Sequence, residues 1–253
     1  MLENVLRHKL EERGILLMTH IVLGYPDFDA SARIVEAMVR AGVDLMELQI
    51  PFSEPIADGP VILRANQEAL SRGATVKRCM EFGAEVSRAF DIPFLYMTYC
   101  NIPFKYGMDR FAGDAARAGI RGIILPDLPP EEGREYLDAM ARHALAPIFI
   151  FAPTTRLDRM RAIASLAGGF VYCVARKGVT GAETHFSREL DDYLARCRTA
   201  TDLPLAVGFG VKERADVDFL KGKADIAVIG TQTIRIIEEK GVDAVGDFIA
   251  GLR

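Results

Sequence analysis

The sequence has no apolar run long enough to cross a bilayer; nothing approaches the roughly 18 uninterrupted residues such a span needs. Its first thirteen residues are charged and helix-patterned, without the apolar centre of a signal peptide. No stripe of Lys and Arg stands out, and the net charge of -4 gives no sign of a nucleic-acid partner. The four cysteines, Cys79, Cys100, Cys173 and Cys197, show no C-x-x-C spacing. They read as reduced thiols of a cytoplasmic protein rather than a zinc site or disulfide frame. His8, His20, His143 and His185 are scattered, with no H-x-H or H-E-x-x-H, so no metal site is expected. No Lys lies in a candidate strand, which disfavours a Schiff-base lyase. No dinucleotide fingerprint follows the first apolar run. No Gly/Pro/Ser-rich linker divides the 253 residues, so a single domain spanning 1–253 is expected.

What is present is alternation. Apolar runs of strand length fall at 16–22, 44–50, 93–99, 122–126, 147–151, 170–174, 205–208 and 225–230. Helix-patterned segments separate them, at 29–41, 62–71 with 76–89, 110–118, 130–143, 157–167, 188–198, 213–220 and 231–252. Near-continuous Ile/Val/Leu strands alternating with amphipathic helices imply a parallel sheet covered by helices. Eight such units in this length favour a closed (β/α)8 TIM barrel, an α/β fold, over an open sheet. A helix at 2–12 precedes the first strand and is expected to cap the barrel floor.

In this fold the chemistry sits at the C-terminal ends of the strands. The second strand, Asp44-Leu-Met-Glu-Leu-Gln-Ile50, has a period of two. Glu47 and Gln49 share one face, Met46, Leu48 and Ile50 the other. If the apolar face packs on the helices, Glu47 points into the barrel near its mouth. A partly desolvated carboxylate there suits proton transfer; a buried Glu paired to structural donors is the other reading. The loop 51–60, rich in Pro and Gly, is long for a βα connection and so a functional candidate. It carries Asp58, a second carboxylate, or else a turn residue before Gly59-Pro60. The last two strands end in Gly208-Phe-Gly210 and Ile229-Gly-Thr231, where glycine backbone and a helix N-terminus suit an anion such as phosphate. The loop 176–183 has two glycines flanking a short stretch, either a lid or an ordinary surface loop. Tyr172 on the sixth strand faces the cavity or fills the core.

The stretch Glu47-Leu-Gln-Ile-Pro-Phe-Ser-Glu-Pro-Ile-Ala-Asp-Gly-Pro60 resembles the signature of tryptophan synthase α chains, usually E-L-G-I-P-F-S-D-P-x-A-D-G-P. Further matches lie at Leu23-Gly-Tyr-Pro26, Met97-Thr-Tyr-Cys-Asn101, Leu125-Pro-Asp-Leu-Pro-Pro-Glu131, Ala152-Pro-Thr-Thr155, Gly178-Val-Thr-Gly181 and Gly208-Phe-Gly210, in order along nearly the whole chain. The resemblance implies a lyase of tryptophan biosynthesis. Its reaction is retro-aldol cleavage of indole-3-glycerol phosphate to indole and glyceraldehyde 3-phosphate. It implies that Glu47 is the catalytic acid/base and that Asp58 is the second carboxylate, bonding the indole N–H. Tyr172 matches the tyrosine beside the glutamate, and Thr180 the lid threonine that orders Asp58. Gly181, Phe209, Gly210, Gly230 and Thr231 match the phosphate-binding positions. His20, Gln49 and Tyr99 fall at the indole pocket. The resemblance also implies a β-subunit partner in an α2β2 complex. Pyridoxal phosphate is expected only in that partner, with no cofactor in this chain.

Four positions depart from the family pattern. Gln49 stands for Gly, Glu54 for Asp in the loop that meets the β partner, His20 for an aromatic, and Thr19 for a common Pro. Gln49 is placed to hydrogen-bond Glu47 or to fill the barrel. His20 either stacks like Phe or titrates near neutral pH. A divergent branch with its own preference for a type of β subunit is the expectation. Two other readings compete: another phosphate-binding barrel lyase or isomerase, against which Asp58 in its full loop context speaks, and a non-catalytic regulatory subunit, against which the retention of both carboxylates speaks.

Overall fold

The computed structural model describes residues 1–174, 183–208 and 210–253, and of 183–187 the backbone alone. Eight parallel strands close into a barrel in sequence order. They are β1 (Leu16–Val22), β2 (Leu45–Gln49), β3 (Phe94–Met97), β4 (Gly122–Ile124), β5 (Ala146–Phe151), β6 (Val171–Val174), β7 (Leu205–Gly208) and β8 (Ile226–Ile229). β1 closes the ring by pairing with β8, Leu16 opposite Ile226 and Thr19 opposite Ile229. All eight lie where the periodicity puts them.

The period of two sorts each strand into a face toward the helices and a face toward the barrel axis. Met46, Leu48 and Ile50 join the large outer core with Leu17 and Ile21. Leu16, Met18, Leu45, Leu95, Met97, Ile124, Ile148, Phe170, Ala206, Ile226 and Val228 fill the interior instead. The barrel is therefore a packed core, its lower layers apolar and its top layer free for polar side chains. Leu2 and Leu6 of α1 (Leu2–Arg13) pack into that interior cluster, so the first helix caps the floor as expected.

The outer helices follow as α2 (Phe28–Arg40), α3 (Pro60–Ser71), α4 (Val76–Ala89), α5 (Asn101–Tyr106), α6 (Met108–Arg117), α7 (Arg134–Arg142), α8 (Leu157–Ala164), α9 (Glu183–Ala200), α10 (Arg214–Leu220), α11 (Thr231–Lys240) and α12 (Val245–Ala250). α2 starts where Asp27 accepts a hydrogen bond from the Ala30 N–H at 2.7 Å, a side-chain N-cap. α3 begins two residues earlier than the pattern predicts, because Pro60 fits the first helical position. Two predicted helices are broken. A 3-10 turn at Pro130–Glu132 and Gly133 precede α7. The long segment 231–252 splits at Gly241, whose φ of 83° lies in the left-handed region that ends a helix. α5 is a six-residue helix that the sequence reading passes over. Among the described residues no helix is long and apolar enough to cross a membrane.

Candidate active site

At the C-terminal mouth of the barrel a cavity opens, lined by His20, Glu47, Ala57, Asp58, Gly59, Ile62, Met97, Ile124, Pro126, Ile150, Tyr172, Val174, Gly208, Val228, Gly230 and Thr231. Every one of the eight strands or the residues just after it contributes. The aliphatic side chains form an apolar slot, and the polar groups converge on one end of it.

Glu47 sits on β2 with its side chain only 4% exposed. The β1–β2 register sets His20 directly opposite Glu47. His20 Nδ1 and Glu47 Oε1 lie 2.9 Å apart, a buried hydrogen bond between two titratable groups. The other carboxylate oxygen, Oε2, is buried and has no hydrogen-bond partner among the described residues, and neither does His20 Nε2. Burial acts to lower the His20 pKa, but the charge and hydrogen bond of Glu47, with the charge of Asp58, outweigh it and hold the imidazole above its ordinary 6.5.

Asp58 hangs over the mouth from the loop after β2. Burial pushes its carboxyl up; the Gln49 hydrogen bond, the His20 charge and the Tyr99 hydroxyl pull the other way without cancelling the effect. Gln49 Nε2 donates to Asp58 Oδ2 at 2.7 Å and lies 3.4 Å from Asn66 Oδ1. Gln49 therefore bonds Asp58, and neither reading of the strand pattern, a bond to Glu47 or simple filling of the barrel, describes it. It does not line the cavity; it stands behind the Asp58 carboxylate.

Tyr99 also stands behind the lining. Its hydroxyl accepts from the Ala57 N–H at 3.1 Å, and its ring stacks on Phe52 at 5.3 Å between centroids. It thereby pins the loop that carries Asp58. Tyr172 does line the cavity; burial, then the charges of Glu47 and Asp58, keep its hydroxyl protonated well above the usual range. It packs over Gly208, where a Cβ would come within 3.0 Å of its ring and hydroxyl, so the wall needs a glycine there.

The loop after β8 runs through Gly230 into α11, whose N-terminus has no side-chain cap. The Thr233 N–H donates to the Gly230 carbonyl at 2.9 Å; the N–H groups of Thr231 and Gln232 before it, with the helix dipole, suit an anion at the cavity rim. Gly230 and Thr231 line the cavity; Gly210, at φ 89°, does not. Thr180, Gly181 and Phe209 lie outside the described residues.

Sequence reading missed Asn66. This fully buried side chain on α3 accepts from the Phe52 N–H at 3.0 Å and donates to the Ile62 carbonyl at 2.9 Å, fixing the start of the loop beside Gln49. The signal was present: Asn66 is a polar residue on the helix face that buries Val61, Ala65 and Ala69. Among the described residues no group of three or more His, Cys, Asp or Glu could hold a metal ion.

A closed parallel barrel with one buried and one half-buried carboxylate at its mouth, an apolar slot and a helix N-terminus at the rim defines the class, a (β/α)8 barrel lyase working by acid/base chemistry. The family model described as "Tryptophan synthase alpha chain" matches residues 6–247. The chain is 62% identical over 253 residues to the tryptophan synthase alpha chain of Syntrophotalea carbinolica, covering all of both. It is 63% identical over 252 residues to that of Desulforapulum autotrophicum, again at full coverage of both. Among solved structures, tryptophan synthase of Mycobacterium tuberculosis superposes with a TM-score of 0.91 at 33% identity, covering 99% of this chain and 96% of that one. The chain belongs to the tryptophan synthase alpha chain family.

Proposed function

We propose that the cavity at the barrel mouth binds indole-3-glycerol phosphate and that Glu47 and Asp58 carry its cleavage. As a member of its family the chain is the lyase subunit of tryptophan biosynthesis that releases indole and glyceraldehyde 3-phosphate. Glu47 gives a proton to indole C3, which leaves positive charge on the ring and its nitrogen. The carboxylate then takes the proton of the side-chain hydroxyl, the carbon–carbon bond breaks, and its electron pair returns to the ring. Asp58, a negative group above the slot, accepts the indole N–H and stabilises that charge.

The observation that carries this reading is Glu47 Oε2: a buried carboxylate oxygen with no partner among the described residues, at the polar end of an apolar slot that suits a planar aromatic. Gly230 and Thr231, at the uncapped start of α11, support a phosphate site; the family pattern extends it to Gly181, Phe209 and Gly210, of which Gly210 stands back from the cavity lining. Tyr172 and His20 line the slot with Glu47, and Gln49 and Tyr99 back it; the family pattern gives Thr180 the part of ordering Asp58.

The chain acts as one domain, in the cytoplasm, as a subunit of a complex whose β partner receives the indole and holds the pyridoxal phosphate. The test is indole release from indole-3-glycerol phosphate. E47Q is expected to lower the rate by roughly 10²- to 10⁴-fold, the usual worth of a positioned acid/base. Binding of glycerol 3-phosphate, measured by calorimetry, is expected to stay within a few-fold. Normal turnover by E47Q overturns the assignment.

A further inference from the structure

Glu47 does not stand alone in the cavity wall. Its neighbour on β1 is a histidine at hydrogen-bond distance, and both side chains are withdrawn from water. We propose that His20 is a positioning residue that acts through Glu47: the two share one mobile proton, stored on the imidazole and delivered to substrate by the carboxylate. This rests on the reading of Glu47 as the acid/base given above.

The geometry divides the roles. Oε1 of Glu47 is occupied by His20 Nδ1, which leaves Oε2 as the oxygen free to meet substrate. The proton balance closes. At rest the pair is imidazolium and carboxylate, equivalent in protons to neutral imidazole and carboxylic acid. Delivery of one proton to C3 leaves neutral imidazole and carboxylate, with Nδ1–H still bonded to Oε1. Uptake of the hydroxyl proton restores the resting pair. No other reactant is needed.

The surroundings favour the charge on His20. β2 presents Glu47 and Gln49 to it, and the loop after β2 presents Asp58. On the β8 side the neighbour is Gly230, whose added Cβ would meet the His20 Cβ at 3.5 Å. Tyr172, across the cavity, is neutral. The negative charges outweigh the cost of burying the imidazolium, which is why His20 holds its proton above the ordinary value. A group raised in this way keeps its ion pair below about 6.5 and loses it as pH rises through the raised value.

The test is the pH profile of kcat/KM for indole release in the wild type, H20F and H20N. H20F restores the aromatic of the family pattern. H20N keeps a donor but cannot store a proton. Both are expected to lower kcat by roughly 10²-fold, with KM within about twofold. Both should move the alkaline limb to lower pH, because the imidazole that held the proton is gone. A profile of either variant that superposes on the wild type overturns the proposal, H20N in particular showing that the imidazole serves only as a donor. Histidine-labelled protein gives a second measure that needs no turnover. The imidazole resonance absent from H20F should titrate above 6.5 in the wild type and fall in E47Q; an unchanged midpoint in E47Q also overturns the proposal. Wild-type protein that releases no indole while its His20 resonance shifts as described instead overturns the assigned reaction.

Discussion

Asp58 is a carboxylate kept partly out of water and next to a second carboxylate, so its charge costs folding free energy at neutral pH. Its carboxyl is held above the ordinary 3.8, chiefly by burial. The sign follows: an acid raised by folding contributes stability below its ordinary value and loses it as pH rises through the raised one. D58N removes that cost. Gln49 can accept the exchange, since its Oε1 is buried without a hydrogen-bond partner among the described residues and can turn to receive the new N–H. The expected outcome is a higher melting temperature for D58N at pH 7, shrinking toward zero as pH falls to about 3.8. Indole release is expected to fall by roughly 10²- to 10³-fold, as when one charge-stabilising group is removed from an active site. Thermal melts across pH, with the indole assay, check both; a D58N protein less stable than wild type by the same amount at every pH contradicts the account. Site residues were legible to different depths. Glu47 was readable because strand alternation fixes which way a residue points. The partner of Gln49 was not, because a side-chain bond to a loop nine residues on depends on how that loop folds back.

At the scale of the element, the first helix closes the barrel from below. Leu6 of α1 is fully buried in the interior cluster with Leu16, Leu45 and Phe170. L6A is expected to cost about 2–5 kcal/mol, the transfer term plus the cavity left under a closed barrel that cannot collapse. L6M is expected to cost less than about 1.5 kcal/mol. Urea unfolding of both variants measures the difference. Element existence was legible in the pattern, and element ends were less so. Apolar spacing runs on through Ile234, Ile236, Val245 and Ile249, all buried, so a single helix was the natural reading. Gly241 breaks it because its backbone turns left-handed, letting α12 fold back on α2 and bury both halves of the same apolar stripe. α5 was invisible for a different reason: six residues with a proline at the third carry too little periodicity to stand out.

On the whole molecule, among the described residues, two large apolar side chains stand out in solvent near the mouth-side loops. Ile56, in the loop that bears Asp58, is 81% exposed, and Phe104, on α5, is 73% exposed. Between their segments lies a shallow apolar hollow formed by Phe52, Val76, Ile102 and Tyr106. Exposed apolar surface of this kind marks an interaction face, and it continues from the loop carrying Glu54. We expect it to meet the β partner. I56D and F104D should each weaken association with the β chain of the same organism by about tenfold or more, the scale of a truncated interface anchor. The indole release of the isolated chain should remain within about twofold for F104D, which is remote from the slot. Calorimetric titration with the β chain reads the affinity; unaltered binding by both variants places the interface elsewhere.

The sequence by itself determined the eightfold alternation, the closed barrel, the capped floor and the inward direction of Glu47. All follow from periods of two and 3.6 residues and from a turn-rich loop, which are local properties of the chain. It also carried the departures His20 and Gln49, but only as unusual residue types. Tertiary structure alone decided what they do. His20 reaches Glu47 because β1 and β2 pair in one register, 27 residues apart. Gln49 and Asn66 converge because α3 returns to pack on β1, beside the strand that precedes it. Strand register and loop return are set by the packing of the whole barrel, which closes only once all eight strands are in place.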